Sequence, residues 1–252
     1  MKTKYHIAMK SISGTRDEQQ DYAFYHIGEN RAFAVVCDGM GGMSKGQIAS
    51  SMTVEKIKSL FFSKSETEDY PIFFLHSVDI LDENIFSLKN DVGERLSSGT
   101  TIVSVVIEND KLFWLSVGDS RLYLLRGQEI VQVTRDHNYF MNLEQMKNEN
   151  NINQSQYEAE SKKGEALISF IGMGGVQIMD INEKPFHLIN GDTILLTSDG
   201  LYKSLTDTEI LNLLNNDNIE TALNNLINKS VECSTTFQDN TTCIVIRYFE
   251  ES

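Results

Sequence analysis

The sequence predicts a mixed α+β fold in which helices cover antiparallel sheets, and three observations carry that prediction. Short stretches rich in aromatic and β-branched residues recur at hairpin spacing, whereas longer stretches repeat Leu, Ile, Val and Phe every three or four residues. The helical stretches interrupt runs of strands instead of alternating strictly with them, which favours layered α+β packing over a parallel doubly wound sheet.

The strand signals run over Asp21–Ile27, Arg31–Cys37, Thr100–Ile107, Lys111–Val117, Arg121–Arg126, Thr193–Thr197 and Thr241–Phe249. The helical signals run over Lys45–Phe62, Ile72–Leu88, Thr206–Leu214 and Ile219–Glu232, and each is expected to bury one face. With two prolines and no Pro- or Ser-rich linker, residues 1–252 are expected to form one domain. From His137 to Glu165 the chain turns polar, with a weak helical pattern over Asn138–Lys147. This 137–165 segment is expected to be a surface insertion, either a variable loop or a flap beside a substrate cleft. Gly-Met-Gly-Gly occurs at 39–42 and again at 172–175, but the flanking residues do not match and no solenoid repeat follows.

Composition narrows the function. A 40% hydrophobic content over 252 residues supports a sizeable core, and a net charge of −14 repels phosphate backbones and anionic lipid, so neither nucleic acid nor membrane is an expected partner. Residues 1–16 hold no apolar core of signal-peptide length, and apolar runs such as Ala32–Cys37 are of strand length. Cys37, Cys233 and Cys243 are odd in number, with no C-x-x-C pair and no zinc spacing, which fits a reducing cytosol; a cytoplasmic monomer is expected.

Five aspartates stand at strand ends: Asp21 begins one, Asp38 ends one, Asp119 follows Val117, Asp199 follows Thr197 and Asp239 precedes Thr241. Singly, each reads as a turn former. Together, carboxylates at the ends of several strands can converge on one point, where their repulsion calls for cations. Magnesium or manganese suits such oxygen ligands, while the five histidines are scattered and no H-E-x-x-H or Cys/His cluster offers a zinc site.

The strongest local signal is Phe33–Gly46, a buried strand running through Asp38-Gly39-Met40-Gly41-Gly42 toward a helix. Its glycines would allow close backbone approach to a ligand and let the Gly39 carbonyl point at a metal beside Asp38. The segment matches neither G-x-x-x-x-G-K-[ST] nor G-x-G-x-x-G, so a kinase or dehydrogenase loses support. Gly118-Asp119-Ser120-Arg121-Leu122 lacks the last glycine of a nucleophile elbow, so a serine hydrolase does too.

Ser13-Gly14-Thr15-Arg16 with Asp21, Asp38–Gly42, Ser98-Gly99-Thr100-Thr101, Gly118–Arg121, Thr134-Arg135-Asp136-His137, Ser198-Asp199-Gly200 and Asp239-Asn240-Thr241-Thr242 follow one another in an order that resembles the metal-dependent protein phosphatases of type 2C, the PPM family, in its compact bacterial form. The resemblance covers nearly the whole chain. It implies a four-layer α-β-β-α sandwich of two packed, mainly antiparallel sheets flanked by helices. It also implies hydrolysis of phosphoserine and phosphothreonine esters by direct attack of a metal-bridging water, on proteins phosphorylated by a cognate serine/threonine kinase. By the same resemblance, two Mn2+ or Mg2+ ions are expected: Asp38 bridges them, Asp199 and Asp239 complete the first and the Gly39 carbonyl helps hold the second. Asp21 would orient bound water, Asp119 would share a weaker third ion with Asp199, and Arg16 would grip the substrate phosphate.

The chain departs from the family pattern at Gln19 and Gln20, where many members carry Asn and Glu, and at Gln47, where Glu is common. Met40 stands where many eukaryotic relatives carry a histidine proposed as general acid. The two amides at 20 and 47 are the support for an alternative, a pseudophosphatase that binds without turnover. A hydrolase of small phosphoesters is a further alternative.

Overall fold

The computed structural model describes residues 4–42, 45–216, 218–234 and 237–250. Met43 and Ser44 of the glycine segment lie outside the described residues. In chain order come β1 (Tyr5–Ile12), β2 (Asp21–Ile27), β3 (Arg31–Met40), α1 (Lys45–Ser63), α2 (Tyr70–Phe86), β4 (Gly99–Thr100), β5 (Ile102–Glu108), β6 (Lys111–Val117), β7 (Arg121–Arg126) and β8 (Glu129–Gln132). Then follow α3 (Tyr139–Asn148), α4 (Gln154–Glu160), a 3-10 turn (Ser161–Lys163), β9 (Asp180–Ile181), β10 (Phe186–His187), β11 (Thr193–Thr197), α5 (Asp199–Tyr202), α6 (Asp207–Leu214), α7 (Ile219–Cys233) and β12 (Thr241–Tyr248).

Two antiparallel sheets result. One has the order β1-β12-β11-β7-β8; the other has β10-β6-β5-β3-β2, with β4 added beside β3 and β9 beside β6. The two-residue period of a strand then sorts side chains into three cores. On β3, Phe33, Val35 and Cys37 face α1 and α2, while Ala32, Ala34 and Val36 face the other sheet, where Leu122, Ile194, Leu196, Ile244 and Ile246 meet them. On the far side Tyr123, Leu195, Cys243 and Val245 pack against Leu201, Ile210, Leu223 and Ile227 of α5, α6 and α7. The layer order is therefore α-β-β-α. Because β3 and β5 are covered on both faces, they read in sequence as unbroken apolar runs.

The elements owe their limits to identifiable chemistry. Thr206 and Glu209 form a reciprocal capping box that starts α6, and Asn218 caps α7 by accepting from the Thr221 amide. Helix α1 buries Ala49, Thr53, Val54, Ile57 and Phe61, a three- and four-residue rhythm laid along one stripe.

Several elements differ from the sequence expectation. The β3 strand continues past Cys37 to Met40, because after Val36 it leaves β5 and pairs with β4 (Gly39 with Thr100, Met40 with Gly99). The first strand, Tyr5–Ile12, carried no strong β-branched signal, yet it pairs along its whole length with β12. Asp199 opens a short helix, so it is a helix-start residue as well as a strand-end one. Within 137–165, α3 matches the weak pattern, and α4 adds a second helix started by an Asn153/Gln156 capping box.

Phe33 lies stacked on Phe61, ring centroids 4.4 Å apart, joining β3 to α1 with neither ring accessible to more than 1%. Truncating it leaves a cavity under the helix layer. Phe33→Ala is expected to lower the unfolding free energy by about 3–5 kcal/mol, measured as a lowered urea midpoint with unchanged slope.

Candidate metal centre

The strands of both sheets deliver acids to one end of the sandwich. Register places Asp21, the first residue of β2, directly opposite Asp38 on β3. Like charges facing each other across a ladder are destabilising, so neighbouring groups have to fix this pair in place. The Asp38 backbone is clamped by the Ser98–Thr101 motif: its carbonyl accepts from the Thr101 amide (2.8 Å) and the Thr100 hydroxyl (2.8 Å), and its amide donates to Thr101 Oγ1 (3.0 Å). Thr101 Oγ1 also pairs with Ser120 Oγ at 2.6 Å, linking that clamp to the turn that carries Asp119. Asp21 is 2% exposed and accepts from Ser198 Oγ at 2.6 Å, and Ser198 Oγ in turn accepts from the Thr242 amide. Among the described residues, Asp21 Oδ1 is buried without a hydrogen-bond partner.

Two loops complete the site. Gly14 has φ +62°, and a side chain there would lie 2.4 Å from the Gln238 carbonyl, so only glycine lets the Ser13–Arg16 turn lie on the 238–240 strand entry. Asn240 Nδ2 then donates to the Ser13 and Glu18 carbonyls, and its Oδ1 accepts from the Gln20 amide. At the other loop, a Cβ on Gly39 would come within 2.1 Å of the Gly46 carbonyl, so this glycine is required by the close seat of α1 on the end of β3. This packing is a demand for glycine in addition to the expected close approach of the backbone to a ligand.

Asp38, Asp119, Asp199 and Asp239 line a single cavity of about 470 Å³ together with Arg16, Gly39, Met40, Glu18, Gln20, Glu165 and Lys203. Asp21 lies just beneath it, hydrogen-bonded to Ser198 next to Asp199. Two cations are interleaved with these acids. Arg16 forks onto Asp239, with Nε and Nη2 each 2.8 Å from a carboxylate oxygen, and packs over the exposed Phe237 ring. Lys203 Nζ donates to Asp199 Oδ2 at 2.8 Å and to Glu165 Oε2 at 3.0 Å. With Asp239 and Asp199 turned to these cations, no three acidic, histidine or cysteine side chains among the described residues are drawn together closely enough to hold one ion.

The electrostatics record what convergence costs. Loss of solvent, and then the charges of Asp21, Asp199, Asp119 and Asp239, raise the Asp38 carboxyl well above the usual range. Burial pushes Asp21 up to about 7 against the hydrogen bonds from Ser198 and Thr242, and burial with the Asp199 charge pushes Asp119 up to about 7. Burial alone would lower Lys203, but Asp199 and Glu165 hold it above the ordinary lysine value. Excess negative charge of this kind is relieved by protons or by metal ions. The lining fits hard divalent ions in its chemistry, since its ionisable ligands are carboxylates and no histidine or cysteine lines it.

Not every residue singled out in the sequence arrives here. Gln20 lines the cavity, its amide reaching the Gly41 carbonyl at 3.3 Å, but Gln47 is solvent-exposed and lines no part of it. Half of the support for a phosphatase without turnover is thereby removed. His137 is buried with its Nδ1 accepting from the Gly118 amide at 3.1 Å, a structural role next to Asp119. Glu18, Glu165 and Lys203 were missed. Glu18 stands two residues from Gln20 and carries the carboxylate that Gln20 lacks; Lys203 could have been found from its spacing of four from Asp199.

An α-β-β-α sandwich with carboxylates from several strands lining one cavity is the arrangement that the sequence resemblance implies. The protein phosphatase 2C profile matches residues 6–146, more than half of the chain, and the chain belongs to that metal-dependent family of protein serine/threonine phosphatases. It is 27% identical over 212 residues to protein phosphatase PhpP of Streptococcus pneumoniae, spanning 83% of each chain. Its fold is similar to that of the S. agalactiae serine/threonine phosphatase (TM-score 0.83, 24% identity, 98% of this chain and 100% of that one). It is also similar to the catalytic domain of the serine/threonine phosphatase PstP in complex with two manganese ions (TM-score 0.76, 24% identity, 98% and 99%).

The raised carboxyls fix the sign of a pH effect. Asp21 and Asp119 bind protons more tightly folded than unfolded, where the value is 3.8, so their protons stabilise fully below about pH 4 and that contribution is lost as pH rises through about 7. The metal-free protein is expected to show a falling thermal midpoint across that window. Added manganese should raise the midpoint most at the upper end, where it no longer competes with protons; a midpoint flat with pH in chelator would contradict the burial of these two acids.

Proposed function

We propose that the chain hydrolyses phosphoserine and phosphothreonine esters on proteins by direct attack of water on phosphorus. The ester oxygen departs on the serine or threonine, leaving inorganic phosphate and no phosphoenzyme. The observation that carries this is the meeting of four carboxylates from separate strand ends in one cavity, with a half-exposed arginine at its mouth. Two divalent ions, manganese or magnesium, would supply Lewis-acid activation of water near neutral pH and offset the phosphate charge.

The chain's own residues divide the remaining work. Asp38, held by three bonds to its backbone, would be the ligand shared between the ions, with Asp199 and Asp239 completing one site and the Gly39 carbonyl contributing to the other. Asp21, with one oxygen committed to Ser198 and the other without a protein partner, would orient water. Arg16 offers two donors that fit two carboxylate oxygens of Asp239 and would fit two phosphate oxygens equally well, so the same fork would grip a substrate phosphate. Met40 lines the cavity and carries no proton to give, so the leaving oxygen would be protonated from water or from another group.

Residues 137–165 would act as a flap within a single phosphatase domain, because their last residue, Glu165, lines the cavity and reaches Lys203. The phosphoprotein substrates would be those of an opposing serine/threonine kinase. A cytosolic setting agrees with the three free cysteines, of which Cys37 and Cys243 are buried, and with the finding that no helix among the described residues is long and apolar enough to cross a membrane.

Asp38→Asn and Asp239→Asn are each expected to abolish manganese-stimulated phosphate release from a phosphothreonine peptide while leaving the circular dichroism spectrum unchanged. Retained turnover in both would refute the assignment. Arg16→Lys keeps the charge but loses the fork, and is expected to lower kcat/KM for the same peptide roughly 10-fold, in line with the loss of one charge-assisted hydrogen bond. An unchanged kcat/KM would place the phosphate elsewhere.

A further inference from the structure

Lys203 belongs to no motif, yet it is the cation set deepest among the acids that the two sheets bring together. Asp199 opens α5 and Lys203 follows it by four residues, with its backbone amide donating to the Asp199 carbonyl at 3.0 Å. That spacing puts both side chains on one face of the turn. The ammonium is held from two sides, by Asp199 Oδ2 at 2.8 Å and by Glu165 Oε2 at 3.0 Å, and its charge also reaches Asp119. Asp119 itself cannot drift: its carbonyl accepts from Tyr202 Oη at 3.0 Å, and the Tyr202 ring is covered by the Arg121 guanidinium.

The flank between Asp119 and Asp199 is where the family resemblance leads one to expect a third, weaker ion. The residues present there do not fit one. A lysine ammonium is a compact point charge with three donors, and two of these are already committed to carboxylates. A divalent ion entering between Asp119 and Asp199 would meet that positive charge within hydrogen-bonding distance of its own ligand. Arg16 differs in the number of its partners: it answers to a single acid at the cavity mouth, whereas Lys203, also partly exposed, answers to Asp199 and to the exposed Glu165. Lys203 uses only one oxygen of Asp199, which leaves the other able to serve an ion on the Asp38 side.

We propose that the Lys203 ammonium is a built-in cation of the catalytic cavity, occupying the Asp119 flank of Asp199 so that the cavity takes two divalent ions and not three. The inference rests on the proposed function, and metal counting separates the two. Manganese is titrated into the full chain at neutral pH, with heat of binding followed by calorimetry and free ion counted by electron paramagnetic resonance. The expected result is two bound ions for the native chain and for Lys203→Arg, and a third, weaker ion for Lys203→Met that disappears again in Lys203→Met/Asp119→Asn. Near-ultraviolet circular dichroism verifies that each variant is folded, and Lys203→Gln substitutes if Lys203→Met is not. Three ions on the native chain, or two on the folded neutral variant, would overturn the inference while leaving the phosphatase site intact. No bound ion on the native chain would overturn the site itself and this inference with it.

Discussion

Mutual repulsion among Asp21, Asp38, Asp119, Asp199 and Asp239 is the constraint around which this end of the molecule is organised. Left to themselves, five acids in and beneath one cavity of about 470 Å³ would separate or pick up protons. Burial first, and the neighbouring acids after it, raise the Asp21, Asp38 and Asp119 carboxyls, so the fold holds these groups in place at an electrostatic cost. Force of that kind cannot come from flexible side chains. It comes from the β2–β3 register together with short, buried hydroxyl side chains: Thr100 and Thr101, which bond the Asp38 backbone, and Ser198, whose hydroxyl links one sheet to Asp21 of the other beneath the cavity.

The same constraint explains why the site sits at a seam. Asp38 belongs to one sheet and Asp239 to the other, and the apolar layer between the sheets, with Val36 and Val105 on one side and Ile244 and Leu196 on the other, sets their separation. Close packing of this layer transmits small changes, so a lost methylene in the middle of the sandwich is felt at its end. Arg16 and Lys203 then offset part of the negative charge. One is bound to a single acid and suited to exchange partners; the other is shared between two, Asp199 and the exposed Glu165.

Much of the fold was legible in the sequence because its pattern and its propensity agree. Asp21–Ile27, Lys111–Val117, Arg121–Arg126 and Thr193–Thr197 were found to the residue, since each is a short run of apolar, aromatic or β-branched residues at hairpin spacing. What was not legible depended on partners distant in the chain. Tyr5–Ile12 is a strand because β12 lies beside it, and Gly39–Met40 extends β3 because Gly99 and Thr100 do. At the site, the aspartates were legible from their places at strand ends, whereas Gln47 was not separable from Gln20 without knowing which way α1 faces. Glu165 was invisible for the same reason, because no local signal tells a flap tip that folds over a cavity from one that points to solvent.

Size alone would have pointed to the wrong end of the molecule. A larger cavity, about 980 Å³, lies at the opposite pole, where the β2–β3 and β5–β6 turns meet the loop between α1 and α2. It too is lined by acids, among them Glu29, Glu66, Glu68 and Glu108, but these stand on turns and loops beside Arg31, Lys64 and Lys111. Glu108 accepts from the Tyr70 hydroxyl and Glu68 pairs with His76. Charges placed in this way are shared among neighbours and open to solvent, so nothing there stores the electrostatic cost that a divalent ion could relieve. The smaller cavity is distinguished by acids that the fold buries side by side, and this electrostatic cost is what divalent ions bound there, as proposed, would relieve.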